Sequence, residues 1–307
     1  MATIGFIGLG AMGRHMASSL QRSGHELRVH DARRAAADAH LAAGAAWADN
    51  AAAAARGAEV VFTSLPGPAE VESVALGAAG LREGMRPGAV WFDLSTNSPE
   101  CVRRLHAAMA ERGVHLLDAP VSGGPHGAQR GRLALWVGGD RPLFDRYQPL
   151  LRAIGDQPFY VGPIGAGTVA KLAHNCASFA LQAVLAEVFT LGVKAGVEPL
   201  ALFRALRQGA SGRARTFDRL PEHFLAGKYD PPAFALSLAH KDMRLALALA
   251  RENGVPMRMG EAAYAELDEA LRRGWGGRDC RAAMTLQEER AGVSVRVTPE
   301  ALRGALD

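Results

Sequence analysis

The sequence predicts an α/β protein in two parts: a parallel-sheet domain at residues 1–163 and an all-helical domain at 164–292, with 293–307 as a tail. Three observations carry this. In the first half, short β-branched runs alternate with Ala-rich or amphipathic stretches of helical size, the pattern of βαβ units with right-handed crossovers. After Gly167 that alternation stops and helical patterns take over. Gly8, Gly10 and Gly13 fall between the first strand-like run and the first helical one, where a glycine-rich turn has structural meaning. The length of 307 residues suits about two domains.

The strand-like runs are 3–7, 27–30, 60–64, 90–93 and 114–118, and 133–137 and 159–161 extend the sheet. Between them, helices are expected at 12–23, 33–43, 69–76, 99–112 and 142–153. The start at 99 is the best marked, because Ser98 is a cap, Pro99 suits the first turn and Glu100 meets the positive end of the dipole. The alanine runs at 35–37 and 51–55 read as compositional drift on helix surfaces. Residues 168–196 read as one helix of about 28 residues, ~42 Å long. It is apolar on nearly all sides, so a buried spine is expected. Further helices are expected at 199–207, 216–225, 238–252, 257–273 and 281–291.

Composition narrows the function. There are 35 basic and 31 acidic residues, for a net charge of +4, and only four of the basic residues are lysines: Lys171, Lys194, Lys228 and Lys241. The pI of about 9.2 raises nucleic acid as a partner. The arginines, however, come as scattered pairs such as Arg33–Arg34, Arg103–Arg104 and Arg272–Arg273, with acids between and no aromatic interleaving, which argues against it. Cys101, Cys176 and Cys280 are odd in number and form no CxxC, so neither a disulfide framework nor a metal site is expected, and a reducing cytoplasm fits. The apolar start lacks a basic leader and is interrupted by glycines, unlike a signal peptide. The run 169–193 carries Lys171, His174, Asn175 and Glu187 within the length a bilayer span would need, so no membrane span is expected.

The chemistry sits in four clusters. In the first, Gly8, Gly10 and Gly13 spell GxGxxG with a strand before and a helix after, which brings a pyrophosphate onto free backbone N–H groups. Asp31, at the end of the second strand, is placed to accept hydrogen bonds from an adenosine ribose. A carboxylate there repels a 2′-phosphate and favours NAD, while Arg33 and Arg34 keep NADP open as the alternative. In the second cluster, 118–133, Ser122, Gly123 and Gly124 offer a hydroxyl and unhindered N–H donors for a carboxylate, with a flexible loop as the plainer alternative. The third, 162–175, sets Lys171 and Asn175 at i and i+4 on one helix face. Helix dipole and burial both push the lysine amine down toward a useful base, which a guanidinium cannot become. His174 and Cys176 read as core residues and His126 as a loop residue. The fourth cluster, Phe234 to Asp242, is undecided by spacing alone.

GFIGLGAMGRHMA at the start, DLSTNSP at 93–99, DAPVSGGPHGAQRG at 118–131, GPIGAGTVAKLAHN at 162–175 and the Lys241–Asp242 pair together resemble the β-hydroxyacid dehydrogenases, from residue 1 to about 292. The resemblance implies a Rossmann domain, a long interdomain helix, and a helical domain that usually supports homodimers or homotetramers. It implies a cofactor site lined by Gly8, Leu9, Gly10, Ala11, Met12, Gly13, Asp31, Leu65, Pro66, Thr96 and Lys241. It further implies a substrate carboxylate held by Ser122, Gly123 and Gly124, with Thr96, Phe234 and Asp242 close by, Lys171 as acid/base and Asn175 as the orienting residue. Arg278, Cys280 and Arg281 depart from the family pattern within 274–293.

Three functions stand at this point. The first is NAD-dependent oxidation of a small 3-hydroxy acid. The second is NADPH-preferring reduction of a semialdehyde or 2-oxo acid. The third is a non-catalytic dinucleotide sensor.

Overall fold

The computed structural model describes residues 3–301 apart from 215, 217 and 219, and the side chains of 242, 245, 248 and 249 also lie outside the described residues. The chain divides into two compact units, Met1–Ala177 and Ser178–Asp307, with the boundary inside one long helix.

The first unit is built on nine strands: β1 (Thr3–Ile7), β2 (Glu26–His30), β3 (Ala46–Trp47), β4 (Val60–Thr63), β5 (Val90–Asp93), β6 (His115–Asp118), β7 (Val121–Ser122), β8 (Ala134–Gly138) and β9 (Gln157–Gly162). Their order is β3-β2-β1-β4-β5-β6-β8-β7, with β9 on β8. From β3 to β6 every pairing is parallel, while β8 runs antiparallel to β6 and β7. The strand order reverses between β1 and β4, and such a reversal opens a crevice at the carboxyl ends of the strands.

The continuous apolar runs of the sequence follow from burial of both sheet faces. Ile4, Phe6, Val29, Phe62 and Phe92 point to one side, against Met16 and Leu20 of α1 (Gly13–Arg22) and a later helix carrying Phe144 and Tyr147. Val61, Trp91 and Leu116 point to the other. That second face is covered by α3 (Ala51–Ala55), α4 (Pro68–Leu76) and α6 (Pro99–Ala110), which come after the short α2 (Asp38–Ala42) and on either side of α5 (Leu81–Gly84). Ser98 caps α6 as expected, its hydroxyl accepting from the Cys101 N–H at 3.1 Å. The unit is completed by α7 (Gly124–Gln129), α8 (Arg141–Leu151) and the start of α9 (Ala166–Lys194).

The run at 51–55 is not surface drift. Ala51, Ala52, Ala54 and Ala55 are buried, and a Cβ on Gly84 would lie 2.2 Å from the Ala52 carbonyl oxygen. A Cβ on Gly5 would lie 2.8 Å from that of Ala54. The α3 backbone passes so close to Gly84 and Gly5 that neither position has room for a Cβ. At 35–37 the change is smaller: Ala37 is buried, and Ala35 is exposed.

The second unit holds α10 (Pro199–Gln208), α11 (Ala210–Arg213), a π turn at Pro221–Leu225, α12 (Leu236–Glu252), α13 (Arg258–Arg272), a 3₁₀ turn at Cys280–Met284 and α14 (Thr285–Ala291). The helix expected at 216–225 falls partly on residues outside the described ones, and its described end is the π turn. Val188 and Leu191 of α9 pack on Leu247, Ala250, Val255 and Met257. Residues 293–297 of the expected tail lie on this unit, where Arg296 pairs with Glu288 at 2.7 Å and the Val297 N–H donates to the Leu225 carbonyl at 2.9 Å.

α9 is one helix, as expected, but it is not a buried spine. Phe179 is 64% exposed and Leu185 51%, and Cys176, expected in the core, is exposed as well. A helix apolar all round needs cover on every side, and a single chain leaves much of this one bare. By length and composition it is also long and apolar enough to cross a membrane.

The tight packing around α3 gives a stability test. Ala54→Leu should destabilise the protein by about 1–3 kcal/mol through overpacking. Ala42→Leu, on the exposed side of α2, should stay within about 0.5 kcal/mol in urea unfolding.

Candidate active site

The glycine-rich turn after β1 is shaped by two close approaches and one open space. Gly8 has φ +92°, and a Cβ there would lie 2.3 Å from the Ser64 carbonyl oxygen after β4. A Cβ on Gly13 would lie 1.9 Å from the Gly8 carbonyl oxygen. Gly10 meets nothing within 4 Å. The outer glycines are thus required by packing, and the middle one leaves room for a ligand against the start of α1. A cleft of about 760 Å³ begins here, lined by Leu9, Gly10, Ala11, Arg14, Arg33 and Asp38 among others. Met12, just before α1, is half-buried against the core.

Asp31 stands at the cleft's edge. Its carboxylate accepts from the Leu9 N–H at 2.7 Å and the Arg33 N–H at 2.8 Å, with the Arg33 guanidinium 3.9 Å away. A carboxylate has about four acceptor positions, so two backbone donors leave capacity for ribose hydroxyls. The open cradle at Gly10 and this acceptor fit a dinucleotide.

The loops after β4 and β5 are tied together by a carboxylate that sequence reasoning missed. Asp93 is buried and accepts from Thr63 Oγ1 (2.8 Å), the Ser95 N–H (3.1 Å) and Asn97 Nδ2 (3.1 Å). Trp91 Nε1 donates to Thr63 Oγ1, and the Leu65 N–H donates to Ser95 Oγ. Burial pushes the Asp93 pKa up, opposed by the hydrogen bonds from Ser95, Asn97 and Thr63. The network orders the segments carrying Leu65, Pro66 and the exposed Thr96. The one signal was the polar run Ser95–Ser98 directly after an apolar strand.

A second buried carboxylate organises the other side. Asp118, ending β6, accepts from the Gly165 N–H (2.8 Å), the Thr168 N–H (2.6 Å) and Thr168 Oγ1 (2.8 Å), and so satisfies donors at the start of α9. Close packing completes the clamp, since a Cβ on Gly167 would lie 2.1 Å from the Trp136 carbonyl oxygen. Lys171 follows one turn after Thr168. It is half-buried, and burial lowers the pKa of its amine. Asn175 is half-buried one turn further on.

The segment 118–133 is more ordered than a flexible loop. Ser122 lies in β7, paired with Ala134 of β8, and Gly124 opens α7, which packs on α1. Gly123 has φ +136° and Gly124 φ +63°, and a Cβ on Gly124 would meet nothing within 4 Å. His126 is exposed on α7 instead of in a loop. Ser122 Oγ lies 3.2 Å from His174 Nε2, a link across 52 residues. The structure therefore brings Ser122 to the helix of Lys171 and Asn175.

Phe234, Lys241 and Asp242 belong to the second unit. Phe234 is 42% exposed, Lys241 is exposed on α12, and the Asp242 side chain lies outside the described residues. The unusual stretch at 278–281 forms a clasp: the fully buried Asp279 accepts from the N–H groups of Ala233, Phe234 and Arg281 and pairs with the Arg281 guanidinium at 2.7 Å. Burial pushes the Asp279 pKa up, but these hydrogen bonds and the arginine outweigh it and the net shift is down.

Residues 3–162 match the NAD-binding domain of 6-phosphogluconate dehydrogenase, and residues 165–287 match the NAD-binding domain of NADP-dependent 3-hydroxyisobutyrate dehydrogenase. The chain is 36% identical to 2-(hydroxymethyl)glutarate dehydrogenase of Eubacterium barkeri, over 95% of its own length and 97% of that protein's. It is 37% identical to NAD-dependent L-serine dehydrogenase of Pseudomonas aeruginosa, over 91% and 95%. Among solved structures it is similar to Mycobacterium tuberculosis 3-hydroxyisobutyrate dehydrogenase with L-serine, with TM-score 0.65 and 30% identity over 94% of this chain and 99% of that one. The chain belongs to the β-hydroxyacid dehydrogenase family. It is an NAD(P)-dependent oxidoreductase with the expected Rossmann and helical domains.

The two kinds of glycine make separate predictions. Gly10→Ala should leave stability within about 0.5 kcal/mol and weaken NADH binding about tenfold or more in a fluorescence titration. Gly13→Ala should lower the melting temperature even without cofactor.

Proposed function

We propose that the protein oxidises the primary alcohol of a small 3-hydroxy acid with NAD, and that Lys171 is the general acid/base. The observation that carries this reading is the half-buried Lys171 amine, one turn into a helix whose start is clamped to the strand that leads to Ser122. The substrate class draws support from the relatives. 2-(Hydroxymethyl)glutarate, L-serine and 3-hydroxyisobutyrate all contain HOCH₂–CHR–COO⁻ and differ in R.

The bound nicotinamide supplies a hydride acceptor. The hydroxyl of Ser122 and the N–H of Gly123 hold the substrate carboxylate, and Gly124 keeps that approach open. Asn175 holds the alcohol oxygen. The neutral Lys171 amine takes the hydroxyl proton as the C–H hydride leaves, and the product is the aldehyde. In reverse, the Lys171 ammonium returns that proton to the carbonyl oxygen. Desolvation suits both directions, because it brings the amine nearer neutral pH than an exposed lysine. An NADPH-preferring reductase is the second reading, favoured by Arg14 and Arg33 in the cleft and by the Arg33 guanidinium beside Asp31.

We place the protein in the cytoplasm as a homodimer or homotetramer, with α9 covered by protein. Glu187, in the last third of α9, supports cover by protein over lipid: its carboxylate accepts from the Met259 and Gly260 N–H groups at 2.9 and 3.1 Å. Light scattering should therefore give a detergent-free mass at a multiple of 32.4 kDa, and a monomer would count against this cover.

Lys171→Ala should lower kcat by about 10²- to 10⁴-fold, with NADH affinity within about twofold as judged by titration. In the wild type, kcat for oxidation should rise with pH and kcat for reduction should fall. Both should turn at a pKa below the ordinary lysine value of about 10.4, because oxidation needs the neutral amine and reduction the ammonium.

A further inference from the structure

Lys171, His174 and Asn175 stand at i, i+3 and i+4 on α9, so the histidine shares a face with the other two. Its Nε2 lies 3.2 Å from Ser122 Oγ, and its ring centroid lies 5.0 Å from that of Trp136 on β8. Ser122 is held from the other side by strand pairing with Ala134. Serine, histidine and indole thus come from three elements, each anchored by its own backbone. His174, expected in the core, is half-buried.

We propose that His174 is a positioning residue that sets the direction of the Ser122 hydroxyl proton and so makes the site selective for a carboxylate. This rests on the reading of Ser122 as a carboxylate donor. A serine hydroxyl has one proton to give. If Nε2 accepts it, the hydroxyl turns only lone pairs toward the substrate, and a carboxylate is repelled. If Nε2 carries the hydrogen and donates it to Oγ, the hydroxyl proton is free to point at the carboxylate. The bonds then run one way, from imidazole N–H to hydroxyl to carboxylate, and successive donors in such a chain strengthen one another. An anionic substrate selects this arrangement. The contact acts on the carboxylate, away from the reacting carbon, so ground state and transition state gain equally and the effect falls on KM.

Two variants separate this role from packing. His174→Phe keeps a ring against Trp136 and removes the donor, whereas His174→Gln restores an N–H close to the Nε2 position. The probe is whichever of 3-hydroxyisobutyrate, 3-hydroxypropionate, glycerate and L-serine the wild type oxidises fastest. With it, His174→Phe should raise KM about five- to tenfold. The kcat and the KM for NAD should stay within about twofold, and His174→Gln should recover most of the loss. In a Ser122→Ala background, His174→Phe should add nothing further. An unmoved KM in His174→Phe, a His174→Gln variant as impaired as His174→Phe, or an additive double variant would overturn the proposal while leaving the assigned reaction standing. Failure of the wild type to oxidise any of these acids would overturn the assigned reaction, and this proposal with it.

Discussion

The three hydrogen bonds that Asp118 accepts at the start of α9 fix where that helix leaves the sheet. A helix start leaves backbone N–H groups without partners, and a buried start without acceptors would be costly. Asp118 removes that cost from the end of a sheet strand, so the helix takes its position from the sheet. Lys171 and Asn175 inherit that position through helical geometry. Ser122 inherits it through the chain, four residues beyond the same aspartate. Asp93 does the equivalent work on the cofactor side, ordering the segments after β4 and β5.

The same arrangement sets a cost in stability. Folding lowers the Lys171 pKa, so the unfolded chain binds the proton more tightly than the folded one. By linkage this destabilises the folded state in full below the folded pKa. The penalty fades as pH rises through the interval up to the ordinary lysine value and is gone above it. A tuned amine is thus held against its own preference, and the Asp118 clamp is among the interactions that hold it there.

Much of the sheet was legible in the sequence because its strands are buried on both faces and stand out as apolar runs between polar turns. The glycine fingerprint was legible for a different reason: backbone contacts within a few residues dictate it. What escaped notice depended on distance along the chain. Asp93 and Asp118 take partners up to 30 and 50 residues away, and no local pattern marks such a carboxylate as an organiser. The burial of the α3 alanines is invisible in composition, which does not distinguish an alanine on a helix surface from one packed in the core. The long helix was recognised, but its apolar surface says only that something covers it, and within one chain much of that surface stays open.

Burial of the Lys171 amine lowers its pKa. With only four lysines in the chain, this can be tested directly. Carbon NMR of protein labelled at lysine Cε, titrated from neutral to alkaline pH, should give four resonances, with that of Lys171 assigned by its loss in Lys171→Arg. The Lys171 resonance should shift at a pH below the ordinary lysine value of about 10.4. A Lys171 midpoint at or above that value would show that burial does not lower its pKa.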